Sequence, residues 1–234
     1  MKKKTIFLIL VIVSVLISAV LNMPADDRVK IPAELMELYA RNPETEEFVF
    51  GFGKALPDNT GLSDEEISVS CVPHFLQWDR RWGYEKYSEE YFALSGCGPT
   101  ALSMVMVYLT GDGKYDPGYI GKFATENDFS TYGDGSKWTL MSDGAKMLGI
   151  NSEEVMLNER YIEENLKNGN PIIAIMAKGD FTTTGHFIVF TDYIDGKIKV
   201  NDPNSISRSE KLWEYDRIAD QIRNLWVFTK HPQQ

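Results

Sequence analysis

Apolar residues recur at helical spacing after Cys97: Ala101, Met104, Val105, Tyr108 and Leu109. A period near 3.6 residues predicts an amphipathic or buried helix. Pro99 fits its first turn, where no backbone N–H is missed, and Gly111-Asp112-Gly113 ends it. Asp116-Pro117 opens another helix, with Ile120, Phe123 and Ala124 on its apolar face. Residues 138–148, closed by Gly149, read as a further helix. So do residues 158–167, capped by Asn158 and ended by Gly169-Asn170-Pro171. The pattern then changes. Residues 172–177 form an unbroken apolar run, expected as a buried strand. Residues 185–194 and 197–201 flank Asp195-Gly196, a hairpin signal. Residues 225–228 predict a last strand. Helices first and antiparallel strands afterwards point to an α+β fold.

The first third of the chain has a different texture. Ile31-Pro32 leads into a predicted helix over 33–41, with Leu35, Leu38 and Tyr39 on one side, ended by Asn42-Pro43. Residues 45–50 begin a second helix. Residues 51–70 are rich in Gly, Asp, Ser and Pro and read as a linker. The expected organisation is a targeting segment (1–23), an N-terminal helical arm and linker (24–70) and a main domain (71–234). The arm either packs on the main body or spaces it from the membrane. Lys2, Lys3 and Lys4 precede an apolar stretch from Ile6 to Leu21, the pattern of export. The stretch is long for a signal-peptide core and short of the ~20 residues of a membrane span. A cleaved signal and an anchor through residues 5–21 are both open. No cysteine follows the stretch, which argues against a lipid anchor. Either way, the remainder is expected outside the cytoplasmic membrane.

Charge narrows the partners. The chain carries a formal charge of −10, and loss of the three N-terminal lysines would make it more acidic still. Such a protein is a poor ligand for nucleic acid and should not adhere to anionic membranes. With 43% hydrophobic and 12% aromatic residues, the chain has material for a substantial core.

Cys97 stands at the head of the first predicted main-body helix. Unpaired N–H groups and the positive end of the helix dipole favour a thiolate there. Gly96 and Gly98 keep side chains away from the sulfur and permit a tight turn. The bland alternative is a small buried cysteine. Of the three histidines, His74, His186 and His231, the second begins a predicted strand, and Asp202 ends the partner strand. That pair can supply a general base and its orienter; alternatively His186 is a surface residue and Asp202 caps a turn before Pro203. A regular Asp195-Gly196 hairpin sets Asp202 opposite Val189, about 10 Å along the strand from His186. A Cys97–His186–Asp202 triad therefore requires a bulge or wider loop. Cys71 could pair with Cys97 in a disulfide; a free Cys71 is expected. No paired Cys-x-x-Cys or His-x-x-x-His set predicts a metal, and no cofactor motif is present. Trp78, Trp82, Tyr84 and Tyr87 crowd one stretch, as core or as the lining of a substrate groove.

Four segments together carry a resemblance: Gln77-Trp78-Asp79 with Trp82; Ser95-Gly96-Cys97-Gly98-Pro99-Thr100-Ala101-Leu102; Gly185-His186-Phe187-Ile188-Val189-Phe190; and Val200-Asn201-Asp202-Pro203-Asn204. They resemble the double-glycine (bacteriocin-processing-type) cysteine peptidases, in their stand-alone, papain-like C39-like branch, over about residues 70–230. The resemblance implies a papain-like α+β fold with the nucleophile helix packed on an antiparallel sheet. It implies an exported cysteine peptidase that cleaves peptide bonds through a thioester acyl-enzyme. Carried over by motif, Cys97 is the nucleophile, His186 the base and acid, Asp202 the orienter and Gln77 the oxyanion-hole glutamine. The implied partner is a peptide or protein substrate outside the cytoplasm, with no cofactor. The sequence lacks the Walker-type glycine loop of the transporter-linked members and has one apolar run, so cleavage of a double-glycine leader during export is not carried over. A non-catalytic cell-surface binding protein and an acyltransferase on the same triad remain alternatives.

Overall fold

A computed structural model describes residues 29–56, 61–67, 70–133 and 135–230. The apolar stretch at 5–21 and His231 lie outside the described residues. Among those described, no helix is long and apolar enough to cross a membrane.

The arm packs on the main body. Helix α1 (Ala33–Arg41) buries Leu35 and Leu38, and Asn42 ends it. A 3-10 turn over Pro43–Thr45 then leads into α2 (Glu46–Phe50). Leu35, Leu38, Phe48 and Val49 form one cluster with Trp78 and Ala93 of the body. Phe48 stacks on Tyr84 with ring centroids 4.4 Å apart, and the Tyr84 hydroxyl donates to the Phe48 carbonyl at 2.5 Å. Trp78, Trp82 and Tyr87 are buried. The aromatic stretch is therefore core and docking surface for the arm, not the lining of a groove.

Short strands β1 (Lys86–Tyr87) and β2 (Glu90–Tyr91) form a hairpin ahead of α3 (Phe92–Ser95) and α4 (Cys97–Thr110). Helix α4 is apolar nearly all round and buried along most of its length, as such a helix must be. Gly111 ends it at φ 67°, a left-handed position that glycine adopts without cost. The glycines beside Cys97 are there for space, and neither has a positive φ. A Cβ on Gly96 would come within 2.4 Å of the Phe92 ring, and one on Gly98 within 2.2 Å of Ser136 Oγ. Helix α5 (Pro117–Glu126) begins as predicted, with Asp116 accepting from the Tyr119 N–H at 2.7 Å.

Beyond α5, β3 (Ser130–Thr131) pairs with β4 (Gly135–Ser136) in a small hairpin. One expectation needs correction. Residues 138–148, expected as one helix, are a π-helical turn over Leu140–Gly144 followed by the short α6 (Ala145–Met147). The buried Leu140, Met141, Gly144 and Ala145 follow the wider turn into the core.

The remaining elements are β5 (Asn151–Val155), α7 (Glu159–Lys167), β6 (Ile172–Met176), β7 (His186–Ile194), β8 (Lys197–Asn201), α8 (Ile206–Ser209), β9 (Leu212–Trp213), α9 (Tyr215–Ile218) and β10 (Ile222–Thr229). A six-stranded antiparallel sheet has the order β5-β10-β6-β7-β8-β9. Both faces are covered. Ile173, Ile175, Phe187, Val189, Trp226 and Phe228 pack with α4. Ile172, Ala174, Met176, Ile188, Phe190 and Val200 pack with Ile162 and Leu166 of α7 and with Ile218 of α9. A strand covered on both faces is apolar at every position, which explains the unbroken run in β6. The fold is papain-like α+β, with the cysteine helix on one face of the sheet.

Substitution of Gly98 by Ala is expected to cost about 1–3 kcal/mol, because Ser136 has to move off a close-packed site. Gly185→Ala, whose Cβ would find its nearest atom 4.0 Å away, should cost less than about 0.5 kcal/mol. Urea unfolding of both variants checks the contrast; equal stability would contradict the packing argument.

Candidate active site

Cys97 is the first residue of α4, half-buried, and the adjacent Gly98 N–H points at its sulfur. The Phe187 N–H, at the start of β7, also favours its thiolate. The neighbouring His186 imidazole lines the same two cavities as the sulfur and favours its thiolate. Cys71 is exposed and free, and no disulfide ties the two cysteines.

The register of the β7–β8 hairpin decides whether Asp202 can reach His186. The turn is tight, with Asp195 at φ 51° and Gly196 at φ 78°, and pairs Ile194 with Lys197. The ladder runs regularly to Asp192 opposite Lys199 and resumes at Phe190 opposite Val200, so Thr191 is bulged out. Beyond the bulge Asn201 faces Val189. One extra residue on one strand exchanges the faces of all side chains beyond it. Asp202 thereby follows the alternation of Ile188 and His186 instead of that of Val189. Its Oδ1 lies 2.7 Å from His186 Nε2. With Nε2 committed to the carboxylate, Nδ1 is the nitrogen left for the sulfur.

Asp202 has no exposed surface, and its carboxylate is fully engaged. Oδ1 also accepts from the Asn204 N–H at 2.8 Å, and Oδ2 accepts from Arg208 Nε at 2.5 Å. The main chain of the loop is pinned as well. Ser209 Oγ accepts from the Asp202 N–H at 2.8 Å, and His74 Nε2 is 2.8 Å from the Asp202 carbonyl. Asn201 Nδ2 donates to the carbonyls of Val72 and Pro73, and the Gln77 N–H donates to the Pro203 carbonyl at 2.7 Å. The segment before Gln77 and the loop after Asp202 are thus laced into one unit. Arg208, His74 and Ser209 were not legible as site residues. The one available signal was the turn chemistry of Asp202-Pro203-Asn204-Ser205, which folds the chain back on itself.

The charges reinforce one another. Burial opposes an imidazolium at His186, but the Asp202 carboxylate and the bonds to Asp202 and Cys97 outweigh it and push its pKa up to about 10. Burial would raise the Cys97 thiol; the hydrogen bond and charge of His186, with the Phe187 and Gly98 N–H groups, bring it below its ordinary value. Burial likewise opposes ionisation of Asp202, and His186 and Arg208 together hold it at about 2. His74 goes the other way: burial holds it neutral. Both shifts favour the charged forms, a thiolate beside an imidazolium.

Gln77 is buried, and its Nε2 donates to the Ala93 carbonyl at 2.7 Å. The opposite amide orientation would set two oxygens against each other. One N–H of Nε2 is therefore spent, and one remains. Gln77 lines a cavity of about 710 Å3 with Cys97, His186 and Arg208. A second cavity of about 580 Å3 shares Cys97 and His186 and continues past Ser136, Trp138, Met176 and Arg223. The sulfur and the imidazole lie where the two meet, as an extended chain crossing the site would require. Among the described residues no group of acidic, cysteine or histidine side chains could hold a metal ion.

The model of the "Peptidase_C39 like family" matches residues 69–233. Among solved structures, the peptidase domain of Streptococcus ComA, a bifunctional ABC transporter involved in a quorum-sensing pathway, is similar at 18% identity and a TM-score of 0.45. The match covers 59% of this chain and 93% of that one. A Bacillus anthracis chain described as a C39-like peptidase is similar at 16% identity and a TM-score of 0.47, over 69% of this chain and 96% of that one. No curated protein matches.

Ultraviolet titration of the thiolate, taken as the difference between wild type and Cys97→Ser, should find the sulfur ionising below the ~8.5 of an ordinary cysteine. In His186→Ala burial acts unopposed by the ring, so the titration should move above that value. Identical curves for the two proteins would contradict the ion pair.

Proposed function

The chain belongs to the C39-like peptidase family, and we propose that it hydrolyses peptide bonds outside the cytoplasmic membrane through a Cys97 thioester. The observation that carries this reading is the 2.7 Å bond from His186 Nε2 to Asp202 Oδ1, on a ring that shares both cavities with Cys97.

Each residue has a step. The Cys97 thiolate attacks the scissile carbonyl carbon and forms a C–S bond as the carbonyl oxygen takes up negative charge. The Cys97 main-chain N–H and the remaining Gln77 N–H donate to that oxygen. The His186 imidazolium protonates the leaving nitrogen as the C–N bond breaks, which yields the free amine and a thioester. The now neutral ring takes a proton from water, the hydroxide oxygen bonds to the thioester carbon, and the thiolate leaves. The products are an amine and a carboxylic acid, and the ion pair is restored. Asp202 keeps Nε2 occupied throughout, which presents Nδ1 to the sulfur and stabilises the imidazolium.

Export rests on the sequence alone. The three lysines and the apolar stretch from Ile6 to Leu21 carry the main domain across the membrane.

Peptides released from a peptide library by the full chain, but not by Cys97→Ala, are the expected result in mass-spectrometric profiling. Identical profiles would reject the peptidase reading. With a cleaved peptide in hand, Gln77→Ala should lose about 10²–10³ in kcat through the missing oxyanion donor. Its Cys97 should still react with iodoacetamide at the wild-type rate.

The pH dependence of kcat/KM should be a bell, whose limbs belong to the coupled pair. The acidic limb reflects Cys97 below its ordinary value, and the alkaline limb reflects loss of the imidazolium near pH 10. Asp202→Asn removes the charge that raises His186, so the alkaline limb should move to lower pH. A limb unmoved by that change would contradict the role of the carboxylate.

A further inference from the structure

The family match begins at residue 69, but the cleft is not made by that region alone. Leu38, Arg41, Asn42 and Glu44 of the arm line the same cavity as Gln77, Cys97 and His186. Two of them are also bonded to the loop between Asp202 and Arg208. Asn42 Nδ2 donates to the Asn204 carbonyl at 2.8 Å and lies 3.2 Å from its side-chain oxygen. Glu44 Oε1 accepts from Ser207 Oγ at 2.6 Å, Ser205 Oγ at 2.9 Å and the Ser207 N–H at 3.4 Å. Its Oε2 accepts from the Ile206 N–H at 2.6 Å.

We propose that the arm is a working part of the site: Asn42 and Glu44 form a strap that holds the 203–207 loop, and through it keeps the Asp202 carboxylate on His186. Asn42 and Glu44 are positioning residues, since neither touches the sulfur or the ring. The proposal rests on the peptidase reading for its purpose.

Three features support it. The loop groups that the strap holds fall between Asp202 and Arg208, the two ends of the buried ion pair, so movement of this loop separates His186, Asp202 and Arg208 together. Among the described residues Glu44 makes no salt bridge; its carboxylate accepts from neutral donors in one loop, and they favour its ionised form against the cost of its partial burial. The other side of the arm is anchored at the opposite wall of the cleft. Leu35, Leu38, Phe48 and Val49 pack on Trp78 and Ala93, and Ala93 supplies the carbonyl that fixes the Gln77 amide. One short segment therefore spans from the glutamine to the aspartate.

The test uses the full chain in a Cys71→Ser background, so that Cys97 is the one thiol that iodoacetamide can modify. Alkylation rates are measured from pH 5 to pH 10 for the parent, Glu44→Ala, Glu44→Gln, Asn42→Ala and His186→Ala. Loosening Asp202 makes His186 less basic and the thiol less acidic. Glu44→Ala should slow alkylation about tenfold at pH 6, which corresponds to a rise of one unit in the thiol pKa, and converge with the parent at pH 10. Glu44→Gln, which keeps one acceptor oxygen, should recover part of the loss, and Asn42→Ala should show a smaller effect of the same form. A strap with only a structural role would lower the unfolding temperature and leave the pH dependence of the folded protein unchanged; that result overturns the proposal. If Glu44→Ala does not fold, Asn42→Ala decides by the same criterion. Slowing by His186→Ala without slowing by the arm variants rejects the strap and leaves the peptidase reading standing. No slowing even by His186→Ala rejects both.

Discussion

A carboxylate with no access to water must be paired on every side, and Asp202 is that carboxylate. Taking an ion out of water costs several kcal/mol, and attraction offsets that cost only where the geometry is good and the remaining lone pairs are used. Asp202 meets the condition with His186, Arg208 and the Asn204 N–H. Much of the local chain path follows. The hairpin has to carry a bulge, or the aspartate would face away from the ring. The loop has to fold back within a few residues, so that Arg208 can return to its own starting point. His74 and Ser209 hold the main chain of the same residue, which prevents the loop from relaxing outward.

The other half of the site depends on packing rather than charge. Cys97 belongs to a helix buried on one face of a sheet, and His186 begins a strand of that sheet. Their relative position is set by the apolar side chains between them, chiefly Phe187 and Val189 against α4. Close packing makes such an arrangement stiff. The glycines at 96 and 98 extend it to the head of the helix, because Phe92 and Ser136 close against backbone where any side chain would intrude. Ser136 is in turn held 2.7 Å from the Tyr87 hydroxyl, which ties the small β3–β4 hairpin to the core.

Elements with strong periodicity or unambiguous turn chemistry were legible in the sequence: α1, α4, α5, α7, β6 and the Asp195-Gly196 hairpin. The register conflict in that hairpin was legible too, because a two-residue turn and the alternation of faces make incompatible demands on Asp202. The bulge at Thr191 resolves it, and no local residue pattern announces the position. Strand β5 escaped notice because Asn151-Ser152-Glu153-Glu154-Val155 reads as polar loop. It is an edge strand, where exposed charge is tolerated and useful. Residues 138–148 have helical spacing, but the tertiary fit imposed a π turn. Arg208 was invisible for a different reason: its role comes from a fold-back, and sequence spacing carries no signal for a side chain that returns to its own loop.

Position at the head of α4 favours a thiolate at Cys97, but it is not the larger influence. A helix terminus contributes about 0.3–1 kcal/mol at exposed sites and up to ~2 kcal/mol where partly buried. Two opposite unit charges about 4 Å apart attract by on the order of 4 kcal/mol at an effective dielectric constant near 20. The helix terminus is therefore the smaller of the two influences. The ranking of influences on the sulfur agrees, with His186 ahead of the Phe187 and Gly98 N–H groups. Burial opposes the thiolate more strongly than any one favourable contribution, so the helix alone would leave a neutral thiol. The acidity of the sulfur is thus a property of the sheet, delivered by β7 and maintained by Asp202. Whatever moves the 202–208 loop reaches the sulfur without touching the helix that carries it.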